Sequence, residues 1–387
     1  MKKVQTLRLG ILGSRGIPNQ YGGFEEFAEH LSVRLSEKGF DVWVYNSHRH
    51  PCKEETWKKV HRIPCFDPEH LIGQAGQFIY DLNCISDSRK RNFDILLQLG
   101  YTSSSIWHWR LPSSSFVISN MDGLEWKRSK YSKTVQKFLR YAERLAVRHS
   151  DLLVADNPAI RQYLKDEYAT DSVFIPYGAD IPLLPDTKPA DSTTIKITTD
   201  GHAPALKPYG YFLVIARMQP DNHIEEIIRG GLQAETSLPL VIVGNHSGRF
   251  GRYLTKKYAS EKIIFAGGIF EKSKLDELRR YSSLYFHGHS AGGTNPSLLE
   301  AMAASALICA HDNPFNREVL GRNAYYFKET KEVADVIQKI NNNGRLNSEF
   351  IKKNLEKVRA DYTWEQVCKS YETLFMNVSG NQNEGAG

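Results

Sequence analysis

Paired cysteines, long apolar runs and a cluster of metal ligands are all missing from this 387-residue chain. Cys52, Cys65, Cys84, Cys309 and Cys368 are odd in number and contain no CxxC pair, which argues against a disulfide framework and for reduced thiols in a cytosol. No stretch approaches the roughly 18 consecutive apolar residues that span a bilayer. The opening MKKVQTLRLGILG is basic and then partly apolar, but Gln5 and Arg8 interrupt it, so it reads as a first strand and not as a signal peptide. His287 and His289 are alternate residues without a cysteine or carboxylate cluster beside them, as are His48 and His50, and no metal is expected. The run DVWVYNSH ends in Tyr45, Asn46 and Ser47, so it lacks the acidic residue that would grip a dinucleotide's ribose. Despite Gly10, Gly13 and Gly16, a nicotinamide dehydrogenase is therefore disfavoured.

What is present is the composition of a globular enzyme, 41% apolar and 24% charged with a formal net charge of +6. Single cores rarely grow past roughly 250–300 residues, so two domains are expected. Short apolar runs alternate with longer amphipathic patterns, the signature of repeated βα units and parallel sheets. The first set of expected strands is Leu7–Leu12, Asp41–Tyr45, Asp94–Leu99, Phe116–Ser119, Leu152–Ala155 and Val173–Pro176. The second set is Tyr211–Ala216, Leu240–Val243, Ile263–Ala266, Leu284–Phe286, Leu307–Ala310 and Tyr325–Phe327. Between them, residues 178–210 hold five prolines and the polar run DSTT, which is linker or loop chemistry. The expectation is a domain over 1–178, a second over 179–360 with an insert at 180–210, a terminal helix over 361–376 and a disordered tail over 377–387. Ligands of such sheets bind beyond the carboxyl ends of the strands, so a cleft between the domains is the expected site.

Five stretches carry candidate chemistry. In SLYFHGHSAGGTNPSLLEAMAA, Gly292 and Gly293 leave amides uncovered before a helix that Pro296 opens and Thr294 or Asn295 can cap. That favours an anion, most naturally a phosphate, with Glu300 just over one turn in and placed to accept hydrogen bonds from hydroxyls. Gly22-Gly23 before FEEFAEHLSVRL is a second helix start of this kind, or a turn that simply needs glycine. Asp122 in NMDGLEW follows the fourth strand and can orient or deprotonate a hydroxyl, although a plain turn aspartate looks the same. Arg217 directly follows Tyr211–Ala216, where it can fork onto a diphosphate. The segment WKRSKYSKTVQKFLRYAERLAVRHSD sets Lys133, Lys137, Arg140, Arg144 and Arg148 on one helical face, with Lys127, Arg128 and Lys130 upstream. Tyr131, Val135, Phe138, Leu139, Ala142, Leu145 and Ala146 fall on the opposite, apolar face. Such one-sided charge suits an anionic membrane or a diphosphate-bearing substrate. Nucleic acid is disfavoured, because no aromatic platform interleaves with the charges.

Taken together, GSRGIPNQYGGFEEF, NMDGLEWKRSKYS, ARMQPDNHI, GGTNPSLLEAM and AHDNPFNREVL resemble glycosyltransferase family 4, of the GT-B fold, and within it the bacterial rhamnosyltransferase subgroup. The resemblance implies two doubly wound Rossmann-like domains facing an interdomain cleft, with the terminal helix crossing back to the first domain. It implies metal-independent, retaining transfer from a nucleoside diphosphate sugar to a hydroxyl, without a cofactor. Gly22 and Gly23 would approach the donor phosphates, Arg217 would hold the diphosphate and Glu300 the ribose. The backbone of Gly293, Thr294 and Asn295 would reach sugar and phosphates, and Gly268-Ile269 would lie by the base. The expected partners are dTDP-rhamnose, a glycan or polyprenyl-diphosphate-linked saccharide acceptor, and the inner face of the plasma membrane, touched through Lys127 to Arg140. Two positions depart from the family pattern. Gly292 stands where many relatives carry a glutamate, and Asn222 where many carry a lysine. The other readings are a sugar-nucleotide enzyme such as an epimerase and a non-catalytic nucleotide-binding subunit.

Overall fold

Runs such as ILLQL at 95–99 and LVIV at 240–243 are buried at every residue, as strands covered on both faces must be. The computed structural model describes residues 6–20, 22–183, 194–197, 205–343 and 348–384. It divides into two units. One comprises the chain up to Lys127, Tyr131–Gly178 and the segment from Trp364 onward; the other comprises Arg128–Lys130 and Ala179–Thr363.

The first unit holds β1 (Arg8–Leu12), β2 (Asp41–Ser47), β3 (Thr56–Trp57), β4 (Val60–Cys65), β5 (Ile95–Leu99), β6 (Phe116–Asn120), β7 (Leu152–Ala155) and β8 (Val173–Phe174). Their order in the sheet is β3-β4-β2-β1-β5-β6-β7-β8. Every neighbouring pair is parallel except β3 with β4. Its helices are α1 (Gly23–Glu37), α2 (Glu69–Ile72), α3 (Gly76–Ser88), α4 (Lys133–His149) and α5 (Pro158–Tyr168). Strand β4 is not legible as a strand in VHRIPC, because Arg62 and Pro64 break the apolar pattern. Arg62 is nonetheless buried, its Nε donating to Ile17 O at 2.9 Å and its Nη2 to Cys52 O at 2.7 Å.

The second unit opens with β9 (Ile195–Lys196) and β10 (Ala205–Leu206), an antiparallel pair. The sequence predicts only a linker over 180–210. Ile195, Ile197 and Leu206 are buried and anchor the pair, while 184–193 and 198–204, with most of the DSTT run, lie outside the described residues. Then follow β11 (Phe212–Ile215), β12 (Leu240–Val243), β13 (Ile263–Gly267), β14 (Leu284–His287), β15 (Ile308–His311) and β16 (Tyr325–Phe327). They form a parallel sheet in the order β13-β12-β11-β14-β15-β16. Around it lie α6 (Ile224–Gln233), α7 (Arg249–Tyr258), α8 (Lys272–Arg280), α9 (Pro296–Ala303), α10 (Pro314–Leu320), α11 (Thr330–Asn343) and α12 (Ser348–Asp361).

The last helix, α13 (Trp364–Glu384), belongs to the first unit. Trp364, Val367, Tyr371, Leu374, Phe375 and Val378 enter the core that also holds Phe27, Leu31 and Leu35 of α1. Phe27 meets Tyr371 edge-on at 5.3 Å and Trp364 at 6.1 Å. The helix continues to Glu384, whereas the sequence predicts a stop at 376 and disorder from 377. Val378 continues the stripe set by Tyr371, Leu374 and Phe375 at helical spacing, and that burial carries the helix onward.

Candidate functional site

The second sheet reverses its direction of growth between β11 and β14. The chain lays β12 and β13 to one side of β11, and β14, β15 and β16 to the other. Loops leaving the two strands at such a reversal diverge, and ligands bind between them. Here those loops begin at Ala216, just before Arg217, and at Gly288.

The first loop is tight. Asn222 Nδ2 donates to Arg217 O at 2.7 Å, so Asn222 is buried and closes the turn. The second loop presses on the first, with Ser290 N and Oγ donating to Asp221 O at 3.1 and 2.9 Å. A Cβ at position 288 would lie 2.0 Å from Asn222 O, so only glycine allows this approach. Asn313 and Asn316 each donate through Nδ2 to His289 O at 3.0 Å and also hold His311 O. The NPFNR stretch thus braces the loop after β14 with its asparagines, while Arg317 turns aside to Asp312 at 2.6 Å.

Arg217 is exposed. His289 is pushed down to about 3, first by burial and then by the charges of Arg217, Arg128 and His223, so its ring is neutral at physiological pH. His311, stacked on His223 at 4.0 Å, is lowered to about 4, again chiefly by burial. Farther along, Gly292 has φ +128° with no atom within 4 Å of a Cβ. There is room for a side chain at this position, but the backbone conformation is one that glycine alone adopts readily. Asn295 caps α9, its Oδ1 accepting from Ser297 N at 3.0 Å, and Pro296 takes the first helical position. Gly293 and Thr294 precede the cap, with Thr294 buried. Gly268 and Ile269 follow β13, two strands from β11, with Gly268 exposed.

Glu300 does not stand alone. Arg279 of α8, only 1% exposed, pairs with Glu300 Oε2, with Asp276 Oδ1 at 3.1 Å and with Ser297 Oγ at 3.4 Å. The carboxylate is thereby fixed in orientation. Sequence reasoning misses Arg279; its only trace is the three-residue spacing from Asp276 within DELRR.

The first unit distributes its candidates differently. The helix start at Gly22-Gly23 already faces a carboxylate from its own first turn. Glu25 Oε1 accepts from Arg15 N at 2.7 Å, and a Cβ on Gly22 would lie 2.0 Å from Glu25 Oε2. Burial raises the Glu25 carboxyl above its ordinary range, and a phosphate there would compete with it. Asp122 is half-buried in the loop after β6, one strand away from the reversal between β1 and β5. That loop is tied down by Tyr101, whose Oη lies 2.9 Å from Gly123 O and 3.1 Å from Glu143 Oε2. Glu143 is buried and accepts from Tyr163 and Tyr168 at 2.6 Å each.

The basic segment is not one surface. Lys133 and Lys137 are exposed on α4, Lys130 is exposed, and Lys127 extends over the Trp126 and Tyr163 rings at 5.3 and 5.6 Å. Arg140 pairs with Glu167 and covers Trp126. Arg128 leaves the group altogether. Its side chain is 14% exposed, belongs with the second unit, and has Nη1 3.6 Å from Asp221 Oδ2. The apolar face also differs from the periodic expectation, since Val135 and Phe138 are 39% and 37% exposed, and Tyr141 beside them is 55% exposed.

Residues 202–357 match the family model described as glycosyl transferases group 1. The second unit carries a group 1 glycosyltransferase domain. Ahead of the glycosyltransferase domain, residues 6–180 match a model described as a domain of unknown function, DUF1972. No curated protein matches the chain in sequence. Among solved structures, the chain is similar to sucrose-phosphate synthase from Thermosynechococcus elongatus, with TM-score 0.78 and 14% identity over 97% of this chain and 100% of that one. Anabaena HepE in complex with UDP and glucose gives TM-score 0.70 and 13% identity over 96% and 100% of the two chains. The alpha,alpha-trehalose 6-phosphate synthase of Burkholderia multivorans gives 0.68 and 10% over 99% and 98%. These likenesses establish the architecture: two Rossmann-like domains with parallel sheets, the GT-B fold of glycosyltransferases.

Proposed function

We propose that this protein is a retaining, metal-independent glycosyltransferase that moves rhamnose from dTDP-rhamnose to a hydroxyl of a glycan or polyprenyl-diphosphate-linked saccharide. The reaction class follows from the glycosyltransferase domain, and the donor assignment rests on one observation, Gly292. A carboxylate at that position would hydrogen-bond sugar hydroxyls, and it would be left buried and unmatched where a hydroxyl is missing, a cost of roughly 1–3 kcal/mol. Glycine at φ +128° removes that demand and leaves open space for a differently shaped ring. A 6-deoxyhexose offers a methyl in place of a hydroxymethyl, and burying that methyl contributes about 0.8 kcal/mol. The departing diphosphate gains negative charge, which Arg217 and the amides before α9 oppose without a metal. Glu300, held by Arg279, is set to receive the ribose hydroxyls. Asp122 acts on the acceptor hydroxyl, its loop fixed by Tyr101.

The same reading places the enzyme at the cytoplasmic face of the membrane, in cell-surface polysaccharide synthesis. Support comes from α4, where Lys133 and Lys137 stand beside exposed Val135, Phe138 and Tyr141. Phe138 touches Phe78 of α3 at 5.7 Å, and α2 and α3 add exposed Leu71, Ile72 and Ile79. Cationic and apolar groups in one patch suit an anionic lipid surface. The decisive experiment compares donors on one acceptor extract with purified protein. Transfer from dTDP-rhamnose should exceed transfer from UDP-glucose, UDP-galactose or GDP-mannose by about tenfold or more. A preference for any of the hexose donors overturns the donor assignment, while the reaction class stands.

A further inference from the structure

Arg128 is the one member of the basic segment that is both largely buried and paired across to the turn after β11. Its partner Asp221 is 4% exposed at the side chain, and the contact of 3.6 Å is longer than a hydrogen bond, so it is an electrostatic hold on the guanidinium. Asp221 lies in the same short turn as Arg217, and Ser290 binds its carbonyl from the loop after β14. Arg128, Arg217 and the His289 loop therefore meet at the reversal point of the sheet. The field of both arginines at the His289 ring is consistent with that convergence. Arg217 is exposed and has no ion pair among the described residues, so its guanidinium is open to an anion beside Arg128. Asn222 adds no charge, since its amide is used in closing the turn.

We propose that Arg128 is the second cation of the donor's diphosphate site, acting with Arg217 and held in place by Asp221 until the diphosphate binds. This rests on the nucleotide-sugar reading of the same site and adds to it a residue from a segment that otherwise belongs to the first unit. A planar guanidinium with its orientation already fixed loses little freedom on meeting a phosphate, which suits it to a leaving group that must be held and then released. Arg128 would touch the diphosphate and not the base, so its loss should be felt by the nucleoside diphosphate and not by the nucleoside.

The test is calorimetry on the full chain with dTDP, UDP, thymidine and uridine as probes. Arg128→Gln should weaken binding of the preferred nucleoside diphosphate by about 10- to 100-fold and flatten its salt dependence, while nucleoside affinity stays within about threefold. Arg128→Lys should recover part of that loss. Should Arg128→Gln fold poorly because Asp221 is left buried and unpaired, the double variant Arg128→Gln/Asp221→Asn leaves the net charge unchanged. The same selective loss in it reports a contact to the diphosphate and not a change in overall charge. Diphosphate affinity equal to wild type in either variant, or nucleoside affinity lost in parallel, overturns the proposal. A wild-type protein that binds neither dTDP nor UDP overturns the donor-site reading itself, a different failure.

Discussion

Among single residues, the buried ionisable groups divide into those that are held and those that are costly. Arg279 illustrates the first: a fully buried guanidinium whose partners Glu300 and Asp276 come from α9 and from its own helix. Asp81 illustrates the second. It is 2% exposed, with only neutral donors, Ser103 Oγ at 2.5 Å and Gln77 Nε2 at 2.9 Å, and burial pushes it up to about 6. The unfolded chain releases this proton near 3.9. Between those values the folded state keeps a proton that the unfolded state has lost, so this group's contribution falls as pH rises through the window. Above about pH 6 the buried carboxylate costs on the order of 3 kcal/mol. Asp81→Asn should therefore be more stable than wild type at pH 7.5, with the advantage shrinking toward zero near pH 4. Urea melts at the two pH values check this, and a difference that does not change with pH would refute it. Arg217 and Glu300 can be picked out of the sequence because one follows an apolar run directly and the other follows a glycine-rich helix start. Arg279 cannot, and Arg128 stands out only as one of a basic cluster, because what distinguishes them is a partner far away along the chain.

At the scale of elements, α4 is where periodicity misleads. A 3.6-residue pattern assigns Val135 and Phe138 to the core, yet only the later turns, at Leu139, Ala142 and Ala146, are buried. The first turns stay exposed, and that leaves apolar and cationic side chains side by side. Lys133→Glu with Lys137→Glu should loosen binding to anionic vesicles by about 1 kcal/mol per position. Phe138→Ser should loosen it further, without affecting neutral vesicles as strongly. Co-sedimentation measures both, and unchanged binding in all variants means that the patch only contacts water. Arg140 is the wrong residue for this test, since it already pairs with Glu167. The unexpected strand β4 and the longer α13 have a common cause. In each, tertiary burial overrides a local signal, Pro64 in one and the polar run after Met376 in the other.

For the molecule as a whole, the C-terminal helix α13 is part of the core of the first unit. Trp364 is 2% exposed, stacks on His30 at 4.3 Å and meets Phe27 and Tyr177 at 6.1 and 5.0 Å. Trp364→Ala should cost the first unit about 3–5 kcal/mol through the cavity it leaves. A thermal melt followed by fluorescence of the remaining tryptophans should then show an early transition. A single transition at the wild-type temperature would mean that the helix is dispensable to that core.

The sequence by itself determines the alternation of strand and helix, the two-unit plan and the glycosyltransferase character of the second half, because these rest on local period, on turn residues and on motifs contiguous in the chain. Strand order, and with it the reversal between β11 and β14, is decided only in three dimensions, since pairing depends on which buried faces fit together. The same holds for charge. Eight Lys/Arg between Lys127 and Arg148 look equivalent along the chain. The tertiary structure separates them into six exposed residues, an arginine pinned to Glu167 and an arginine carried to Asp221. Coulomb energy depends on distance and burial, and neither can be read from spacing along a chain.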